Sequence, residues 1–327
     1  MSFYPSNNLQ ISKIWAVSFD YLISNPTSYF HNQFSKQLTT TTITTFNSLK
    51  MDSQNTSTTR KIVVTGANKG IGYQIVDTLL ASTTTSYDII LAARNPALGQ
   101  KALETLQAKY PKSPSKVVYH QLDVNDDASI SSFADWIRTT QGKIDVLVNN
   151  AAVAYPNSTD EEKKYTIQTN FTSVVKLTEK IIPLLSADGK IIQISSTLGQ
   201  LGFQGETLRK ALEDPKLDLK RLHELADNIL QITQDYKPND YGADASYSGS
   251  KALLNSYSHT VLPKQAGPNQ QVYVVCPGWC RTDMGSDQAT SSAEEGADTP
   301  VYLIGLPFRK EAELNGKFFS NRKIQSY

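Results

Sequence analysis

The sequence predicts an α/β fold, in which a parallel sheet is covered by helices on both faces. Short runs rich in β-branched residues alternate with longer segments of helical periodicity. The first of these runs passes through a glycine-rich turn directly into an apolar helical segment. Strands that alternate with helices are typical of parallel sheets. The 327-residue length is enough for one large domain with a substantial core.

The glycine-rich turn joins the first predicted strand and helix. The β-branched run Lys61–Thr65 predicts a buried parallel strand. Gly66 permits a tight turn, while Gly70 and Gly72 let the backbone approach a pyrophosphate at the helix N-terminus. A strand, glycines and a helix in this order predict a nucleotide-binding turn. The helix over residues 71–80 follows from the helical spacing of Ile71, Ile75, Val76, Leu79 and Leu80.

Six further runs complete the predicted sheet. They are short and apolar, as expected of strands that are buried on both faces. Right-handed crossovers leave few alternatives to the strand order of a Rossmann-type, doubly wound sheet of about seven strands. The runs are residues 88–93, 117–122, 146–148, 191–194, 272–275 and 318–319.

A tyrosine and a lysine lie four positions apart in Tyr247-Ser248-Gly249-Ser250-Lys251. On a helix this spacing puts both side chains on one face, one turn apart. A phenol has a pKa of about 10, and a nearby ammonium group favours the phenolate, so we expect Lys251 to lower the pKa of Tyr247. The pattern alone is weak. It becomes specific because the chain also carries the glycine-rich turn, Asn-Asn-Ala-Ala at 149–152 and Pro277-Gly278.

Six segments carry the signal of a known family. They are Thr-Gly-Ala-Asn-Lys-Gly-Ile-Gly (65–72), Asn-Asn-Ala-Ala (149–152), Thr-Asn-Phe (169–171), Ile-Ser-Ser (194–196), Tyr-Ser-Gly-Ser-Lys (247–251) and Cys-Pro-Gly-Trp-Cys-Arg-Thr-Asp-Met (276–284). In this order they resemble the single-domain short-chain dehydrogenases/reductases, and most closely the monomeric NADPH-dependent carbonyl reductases. The resemblance implies an oxidoreductase that transfers hydride from NADPH to a ketone or aldehyde carbonyl.

The resemblance also implies a catalytic set of Asn170, Ser196, Tyr247 and Lys251. The Ser196 and Tyr247 hydroxyls would polarise the carbonyl oxygen, and Tyr247 would donate the proton. Lys251 would hydrogen-bond the nicotinamide ribose, and Asn170 would hold a water that links Lys251 to solvent. Ser195 is expected on the opposite side of the extended chain. Two alternatives stay open: an NADP-dependent alcohol dehydrogenase that works oxidatively, and a non-catalytic NADPH-binding sensor or scaffold.

The end of the second strand bears on the choice of cofactor. NAD-selective members of the family place an acidic side chain there, whereas this chain has Ala92-Ala93-Arg94-Asn95. Arg94 can bind a 2′-phosphate through charge-assisted, bidentate hydrogen bonds. Lys69 in the glycine-rich turn adds a second positive charge. The sequence therefore predicts NADPH rather than NADH.

Further cofactor contacts follow from position in the family motifs. Asp123 resembles the residue that hydrogen-bonds the adenine amino group, with a cap for a helix starting near Asp126 as the alternative. Pro277, Gly278 and Thr282 resemble the turn that grips the nicotinamide carboxamide. The full predicted cofactor set is Gly66, Asn68, Lys69, Gly70, Ile71, Gly72, Arg94, Asp123, Asn150, Tyr247, Lys251, Pro277, Gly278 and Thr282.

Two aromatic residues are candidates for a substrate pocket above the nicotinamide. Trp279 follows Pro-Gly and offers either an aromatic wall or ordinary packing under a loop, and Tyr155 follows the Asn-Asn-Ala-Ala turn. They indicate an apolar or aromatic carbonyl substrate without naming it. Cys280, in the same turn as Trp279, is a candidate reactive thiol.

A long segment separates Ser196 from Tyr247, which lie 51 positions apart. Most single-domain relatives have far fewer residues here. Leucines and isoleucines at near-helical spacing predict a helical insert at about 202–242, ahead of the catalytic tyrosine. In monomeric carbonyl reductases such an insert covers the helix face that oligomeric relatives use to form tetramers, so the resemblance implies a monomer. A solubilising surface decoration is the alternative.

Residues 1–59 differ in composition from the rest and are rich in Ser and Thr. They predict a disordered extension ahead of a reductase domain at 60–327. A faintly amphipathic stretch allows a mitochondrial transit peptide, but the absence of arginine and the presence of Asp20 and Asp52 favour a cytoplasmic protein. Met51 is an alternative start of translation.

The composition limits the classes of binding partner that we expect. Lys+Arg number 32 and Asp+Glu 31, so we expect no polyanion-binding surface and no nucleic-acid partner. The two cysteines and four scattered histidines match neither a disulfide framework nor a metal site. No apolar stretch approaches the roughly 18 residues of a membrane span. The expected partner is a small-molecule carbonyl substrate.

Overall fold

The computed structural model describes residues 59–155, 158–237, 244–308 and 312–327. Residues 1–58 lie outside the described residues, and so do the disorder, the targeting alternatives and the start at Met51 predicted for them. The division into an extension and a reductase domain at 60–327 therefore stays a prediction. Within the described ranges, no helix is long and apolar enough to cross a membrane.

A single sheet forms the centre of the fold. Its described strands are β1 (Arg60–Thr65), β2 (Tyr87–Ala93), β3 (Lys116–Gln121), β4 (Ile144–Asn149), β5 (Leu185–Ile194), β6 (Gln271–Val275), β7 (Lys317–Ser320) and β8 (Lys323–Gln325). They lie in the order β3-β2-β1-β4-β5-β6-β7-β8. Neighbours from β3 through β7 pair in parallel, and β8 pairs antiparallel with β7. The predicted Rossmann-type sheet is confirmed.

The eighth strand was not expected from the sequence. Its three residues, Lys323–Gln325, are all exposed, so no buried apolar pattern marks it. It follows a turn at Asn321 and Arg322, whose φ values of 50° and 60° are those of a tight hairpin turn. A short charged edge strand of this kind protects the sheet from pairing with other chains.

Helices cover both faces of the sheet. Strand residues alternate between the faces, so Val63 packs into one core cluster and Ile62 and Val64 into the other. The described helices are α1 (Gly70–Ala81), α2 (Pro96–Lys109), α3 (Asp127–Trp136), α4 (Asp160–Ile167), α5 (Ser173–Ile181), α6 (Glu206–Leu212), α7 (Leu219–Asp227), α8 (Ile229–Ile232), α9 (Ala245–Ser256), α10 (Leu262–Gln265) and α11 (Ala293–Gly305). Wide π-helical turns occupy Ile137–Gln141, Gln168–Thr172 and Tyr257–Val261.

The insert between Ser196 and Tyr247 is helical where it is described, and its residues 238–243 lie outside the described part. Helices α6, α7 and α8 pack against α9, and α7 also contacts the two wide turns at Gln168–Thr172 and Tyr257–Val261. Of the apolar side chains predicted to give it helical periodicity, Leu217, Leu222, Leu225 and Ile229 are buried, and Leu219 and Leu230 are partly buried. The insert therefore covers the helix that carries Tyr247.

The strand order creates the crevice that matters for function. From β1 the chain moves outward through β2 to β3 and then returns to the other side of β1 as β4. In open α/β sheets ligands bind where the order reverses, outside the carboxyl ends of the strands. The glycine-rich turn follows β1, Ser196 follows β5, and Pro277 follows β6, so all three lie at this edge.

Candidate active site

Helix α9 positions the tyrosine and the lysine. Asp244 caps its N-terminus by accepting a 2.9 Å hydrogen bond from the Tyr247 amide. Lys251 lies one turn further on, only 3 % exposed, and its Nζ is 5.8 Å from the centroid of the Tyr247 ring. The same ammonium group donates a 3.0 Å hydrogen bond to the carbonyl of Ile194, at the end of β5. The lysine therefore ties α9 to the strand that precedes Ser196.

Ser196 meets Tyr247 from the turn after β5. Its backbone is extended, and its hydroxyl accepts a 3.1 Å hydrogen bond from the Leu198 amide. The Ser196 hydroxyl lies beside the Tyr247 hydroxyl and lowers the pKa of the phenol. The Ser195 hydroxyl instead donates to Asn255 Oδ1 at 2.6 Å, in the interior. Of the two adjacent serines, Ser196 is the one that contacts Tyr247.

Asn170 lies in the wide turn Gln168–Thr172 and is buried. Its Oδ1 accepts from the Val153 amide, and its Nδ2 donates to the Val153 carbonyl, both at 2.9 Å. Nδ2 also donates to the Ser250 hydroxyl at 3.1 Å, one residue before Lys251. Asn170 therefore joins the turn after β4 to α9. Its predicted water-holding role stays a prediction.

Burial sets the pKa values of the pair. Burial of the phenol raises the pKa of Tyr247 to about 12, with a smaller upward effect from the Cys276 thiol, while the Ser196 hydrogen bond lowers it. Burial of the ammonium lowers the pKa of Lys251 to about 8. The expectation that Lys251 makes Tyr247 more acidic is wrong for the protein's own groups, because desolvation dominates. Tyr247 is therefore protonated at neutral pH.

The glycine-rich turn after β1 has the backbone its sequence demands. Gly66 and Gly70 have φ values of 64° and 58°, a region that side chains rarely allow. Helix α1 begins at Gly70 without a side-chain cap, so no capping side chain competes with an anion for its first N–H groups. Gly72 also has a packing role, and its predicted place beside the pyrophosphate stays a prediction. A Cβ there would lie 2.5 Å from Asn150 Nδ2 and 2.8 Å from the Gly66 carbonyl, so Gly72 allows close packing within the protein.

Asn150 fastens this turn to the end of β4. Its Nδ2 donates to the Thr65 carbonyl at 2.8 Å, and its amide donates to Thr65 Oγ1 at 2.9 Å. The amide of Ala151 donates to the same hydroxyl at 3.0 Å. Thr65 thus links the two loops that flank the crevice.

Arg94 and Asp123 line one cavity of about 370 Å³ beside the ends of β2 and β3. The carboxylate of Asp123 accepts from the Asn125 amide at 3.0 Å, whereas α3 is capped by Asp126. The cap alternative for Asp123 is therefore wrong. Lys69 forms an exposed 2.6 Å ion pair with Asp283.

The turn after β6 adjoins the glycine-rich turn. A Cβ on Gly70 would lie 3.4 Å from the Thr282 methyl group. Gly278 has a φ of 86°, which fits the Pro-Gly turn. Trp279 is partly exposed there, and its carbonyl accepts from the Ser291 amide at 3.0 Å.

Tyr155 and Cys280 complete the predicted set. Tyr155 is partly exposed, and its ring lies 6.5 Å from that of Tyr165. Cys280 is buried, and burial raises the pKa of its thiol to about 11. The expectation of a reactive thiol at Cys280 is wrong, because the reactive thiolate is strongly disfavoured.

Comparisons with known proteins agree with this geometry. The model of the short chain dehydrogenase family matches residues 60–208. Carbonyl reductase (NADPH) 1 of Sus scrofa is 35 % identical over 279 residues, which span 82 % of this chain and 94 % of that protein. The chain belongs to the short-chain dehydrogenase family. The predicted family resemblance is confirmed.

Two further relatives extend the comparison. The (+)-neomenthol dehydrogenase of Arabidopsis thaliana is 32 % identical, with 83 % of this chain and 99 % of that protein covered. The solved structure of salutaridine reductase from Papaver somniferum has a TM-score of 0.69 at 31 % identity, covering 80 % of this chain and 99 % of that chain.

In this short-chain dehydrogenase, Tyr165 contacts the predicted site residue Arg94, which the sequence did not indicate. Arg94 Nη1 donates a 3.0 Å hydrogen bond to the Tyr165 hydroxyl. The two residues are 71 positions apart and belong to different elements, and no motif surrounds Tyr165. Only the fold brings them together.

Proposed function

We propose that this chain reduces a ketone or aldehyde carbonyl, using hydride from NADPH and a proton from Tyr247. The observation that carries the proposal is the placement of the Ser196 hydroxyl beside that of Tyr247, where it lowers the pKa of the phenol, with Lys251 one helical turn away. Both hydroxyls lie at the crevice where α/β sheets bind their ligands. The carbonyl reductases among the chain's relatives support the same activity.

The residues of the crevice fit NADPH. The uncapped N-terminus of α1, with Gly66, Asn68, Gly70 and Ile71 before and within its first turn, suits a pyrophosphate. Arg94 is exposed at the end of β2, where no carboxylate takes its place. When bound, NADPH supplies a hydride to the carbonyl carbon.

The remaining contacts of NADPH are proposed by position. Lys69 would join Arg94 at the 2′-phosphate, and Asp123 would hydrogen-bond the adenine. The backbone at Asn150 would run along the adenosine ribose, while Lys251 would hydrogen-bond the nicotinamide ribose. The residues proposed for the carboxamide are Pro277, Gly278 and Thr282.

The chain's own groups handle the proton. As negative charge develops on the carbonyl oxygen, the Ser196 and Tyr247 hydroxyls stabilise it by hydrogen bonds, and Tyr247 transfers its proton there. Lys251 has its pKa lowered to about 8, so its ammonium can pass a proton on at neutral pH. Asn170, bonded to Ser250, would keep the route from Lys251 to solvent in place.

The pKa of Tyr247 favours the reductive direction. A phenol with a pKa of about 12 is protonated at neutral pH and therefore ready to act as an acid. The oxidative reaction needs the phenolate, so alcohol oxidation would gain rate as the pH rises. A non-catalytic NADPH sensor remains the second alternative, and it would lack turnover altogether.

The substrate and the oligomeric state are proposed from the surroundings of the site. The partly exposed rings of Trp279 and Tyr155 suit an apolar or aromatic carbonyl compound. The insert helices pack on α9, whose residues 248–256 are buried within the chain. That face is not available to a partner, so we expect a monomer.

One assay tests the proposed function. NADPH consumption is followed with quinones, aldehydes, diketones and aryl ketones, in parallel with Tyr247→Phe. Turnover by the wild-type protein that Tyr247→Phe abolishes supports the proposal. Turnover that survives Tyr247→Phe would show that the proton donor is misassigned.

A further inference from the structure

We propose that Tyr165 sets the preference for NADPH by holding the Arg94 guanidinium in position for the 2′-phosphate. This inference rests on the proposed function, because it takes Arg94 as the 2′-phosphate ligand. It concerns a residue outside the glycine-rich turn and the catalytic set, and one that lies on a different element from Arg94.

The hydroxyl of Tyr165 is held from the protein side. Asn125 Nδ2 donates to it at 3.0 Å and to Thr169 Oγ1 at 2.8 Å. The Ser173 hydroxyl donates to Asn125 Oδ1 at 2.7 Å. Thr169 and Ser173 are buried, so the amide that orients Tyr165 is itself fixed by the interior.

Arg94 depends on this anchor because it is exposed. Its side chain makes one hydrogen bond to the residues that the structure describes, from Nη1 to the Tyr165 hydroxyl at 3.0 Å. The remaining guanidinium N–H groups are left for a phosphate. A free arginine side chain must lose rotamer freedom on binding, and a partner that already orders it reduces that cost.

The hydroxyl of Tyr165 is also a suitable partner for Arg94 because it acts as a neutral hydrogen-bond acceptor. It accepts hydrogen bonds from both Arg94 and Asn125, which occupies its lone pairs. It is a neutral acceptor, so the positive charge of Arg94 remains available to the doubly charged phosphate. An aspartate at the same place would neutralise that charge. NADH lacks the 2′-phosphate and gains nothing from the arrangement.

The test compares dissociation constants for NADPH and NADH by fluorescence titration, with kcat and KM as a second readout. Tyr165→Phe removes the hydroxyl and keeps the ring. We expect about a tenfold weaker NADPH affinity, equivalent to ~1.4 kcal/mol, with NADH affinity and kcat unchanged. Adenosine 2′,5′-bisphosphate should weaken in parallel, and AMP should not. Tyr110→Phe is the matched control, since the Tyr110 hydroxyl bonds Asp77 between α1 and α2.

A double-mutant cycle tests the route of the effect. In an Arg94→Met background, Tyr165→Phe should have no further effect on NADPH affinity. An unchanged NADPH affinity in Tyr165→Phe, an equal loss for both cofactors, or a full effect in the Arg94→Met background would each overturn the inference. If Arg94→Met itself leaves the preference unchanged, the proposed 2′-phosphate site fails instead, and the two failures are thereby distinguished.

Discussion

Gly199 packs directly on the backbone of Lys251. A Cβ atom at position 199 would lie 2.5 Å from the carbonyl carbon and 2.6 Å from the carbonyl oxygen of Lys251, closer than real side chains come. The turn that follows Ser196 is therefore in contact with the helix that carries Tyr247. Together with the hydrogen bonds from Lys251 to Ile194 and from Ser248 to Leu198, this contact holds in place the two hydroxyls that are proposed to hold the substrate oxygen.

The first prediction concerns that contact. Gly199→Ala must push the turn away from α9 and lengthen the separation of Ser196 and Tyr247. Because small misplacements of reacting groups cost up to about 100-fold in rate, we expect kcat to fall ten- to 100-fold. Steady-state kinetics with NADPH and any accepted ketone measures this. Gly202→Ala is the control, since a Cβ there meets nothing within 4 Å. Equal kcat values for the two variants would contradict the prediction.

The second prediction concerns cofactor choice. Arg94→Asp replaces a positive charge at the end of β2 with a negative one, which repels a 2′-phosphate. We expect the ratio of kcat/KM for NADPH over NADH to fall at least about tenfold, because a charged hydrogen-bond pair is lost. Lys116→Asp makes the same charge change at the far end of β3 and should leave the ratio unchanged. A ratio that is the same in Arg94→Asp and the wild type would reject Arg94 as the phosphate ligand.

The third prediction links Lys251 to stability. Burial lowers its pKa from the ordinary 10.5 to about 8, so the charged lysine destabilises the folded state. This cost is present in full below pH 8 and disappears as the pH rises towards 10.5, where the unfolded chain also loses the proton. Lys251→Met removes the charge.

At pH 7 we therefore expect Lys251→Met to be inactive yet more stable by roughly 2 kcal/mol, after allowing for the lost hydrogen bond to Ile194. Urea unfolding between pH 7 and 10 measures the difference, which should shrink as the pH rises. A variant less stable than the wild type at pH 7 would contradict the prediction, because the charged Lys251 would then stabilise the folded state.

The fourth prediction concerns assembly. The insert packs on α9 and buries the face that carries Gly249, where a Cβ would lie 3.0 Å from Ile229 Cδ1. Multi-angle light scattering at micromolar protein should therefore give the mass of one chain, 36.2 kDa for the full sequence. A tetramer at this concentration would contradict the role proposed for the insert.

Much of the fold was predictable because local pattern and fold agree. The run Lys61–Thr65 is rich in β-branched residues and leads into glycines that indicate a tight turn. The structure has a strand and a turn there. The later apolar runs likewise became strands, and β5 also begins six residues earlier than predicted, at Leu185. The strand β8 was not predicted, because Lys323–Gln325 is exposed and pairs only with β7.

Site residues could be predicted where they belong to sequence motifs, but not where only the tertiary fold brings them into contact. Ser196 and Tyr247 could be paired through the family's pattern. Tyr165 could not, since its contact with Arg94 joins elements that are distant in sequence. The pKa of Tyr247 was expected in the wrong direction, because a spacing on a helix reveals a neighbouring charge but not the depth of burial that outweighs it.

The central claim is that Tyr247 supplies the proton, and its hydroxyl is the atom to remove. Tyr247→Phe keeps the ring, so NADPH affinity by titration should stay within a factor of about two while kcat for ketone reduction falls by about 10²–10⁴. Tyr110→Phe, which removes a phenol hydroxyl far from the crevice, should retain full activity. Undiminished ketone reduction by Tyr247→Phe with NADPH would contradict the account.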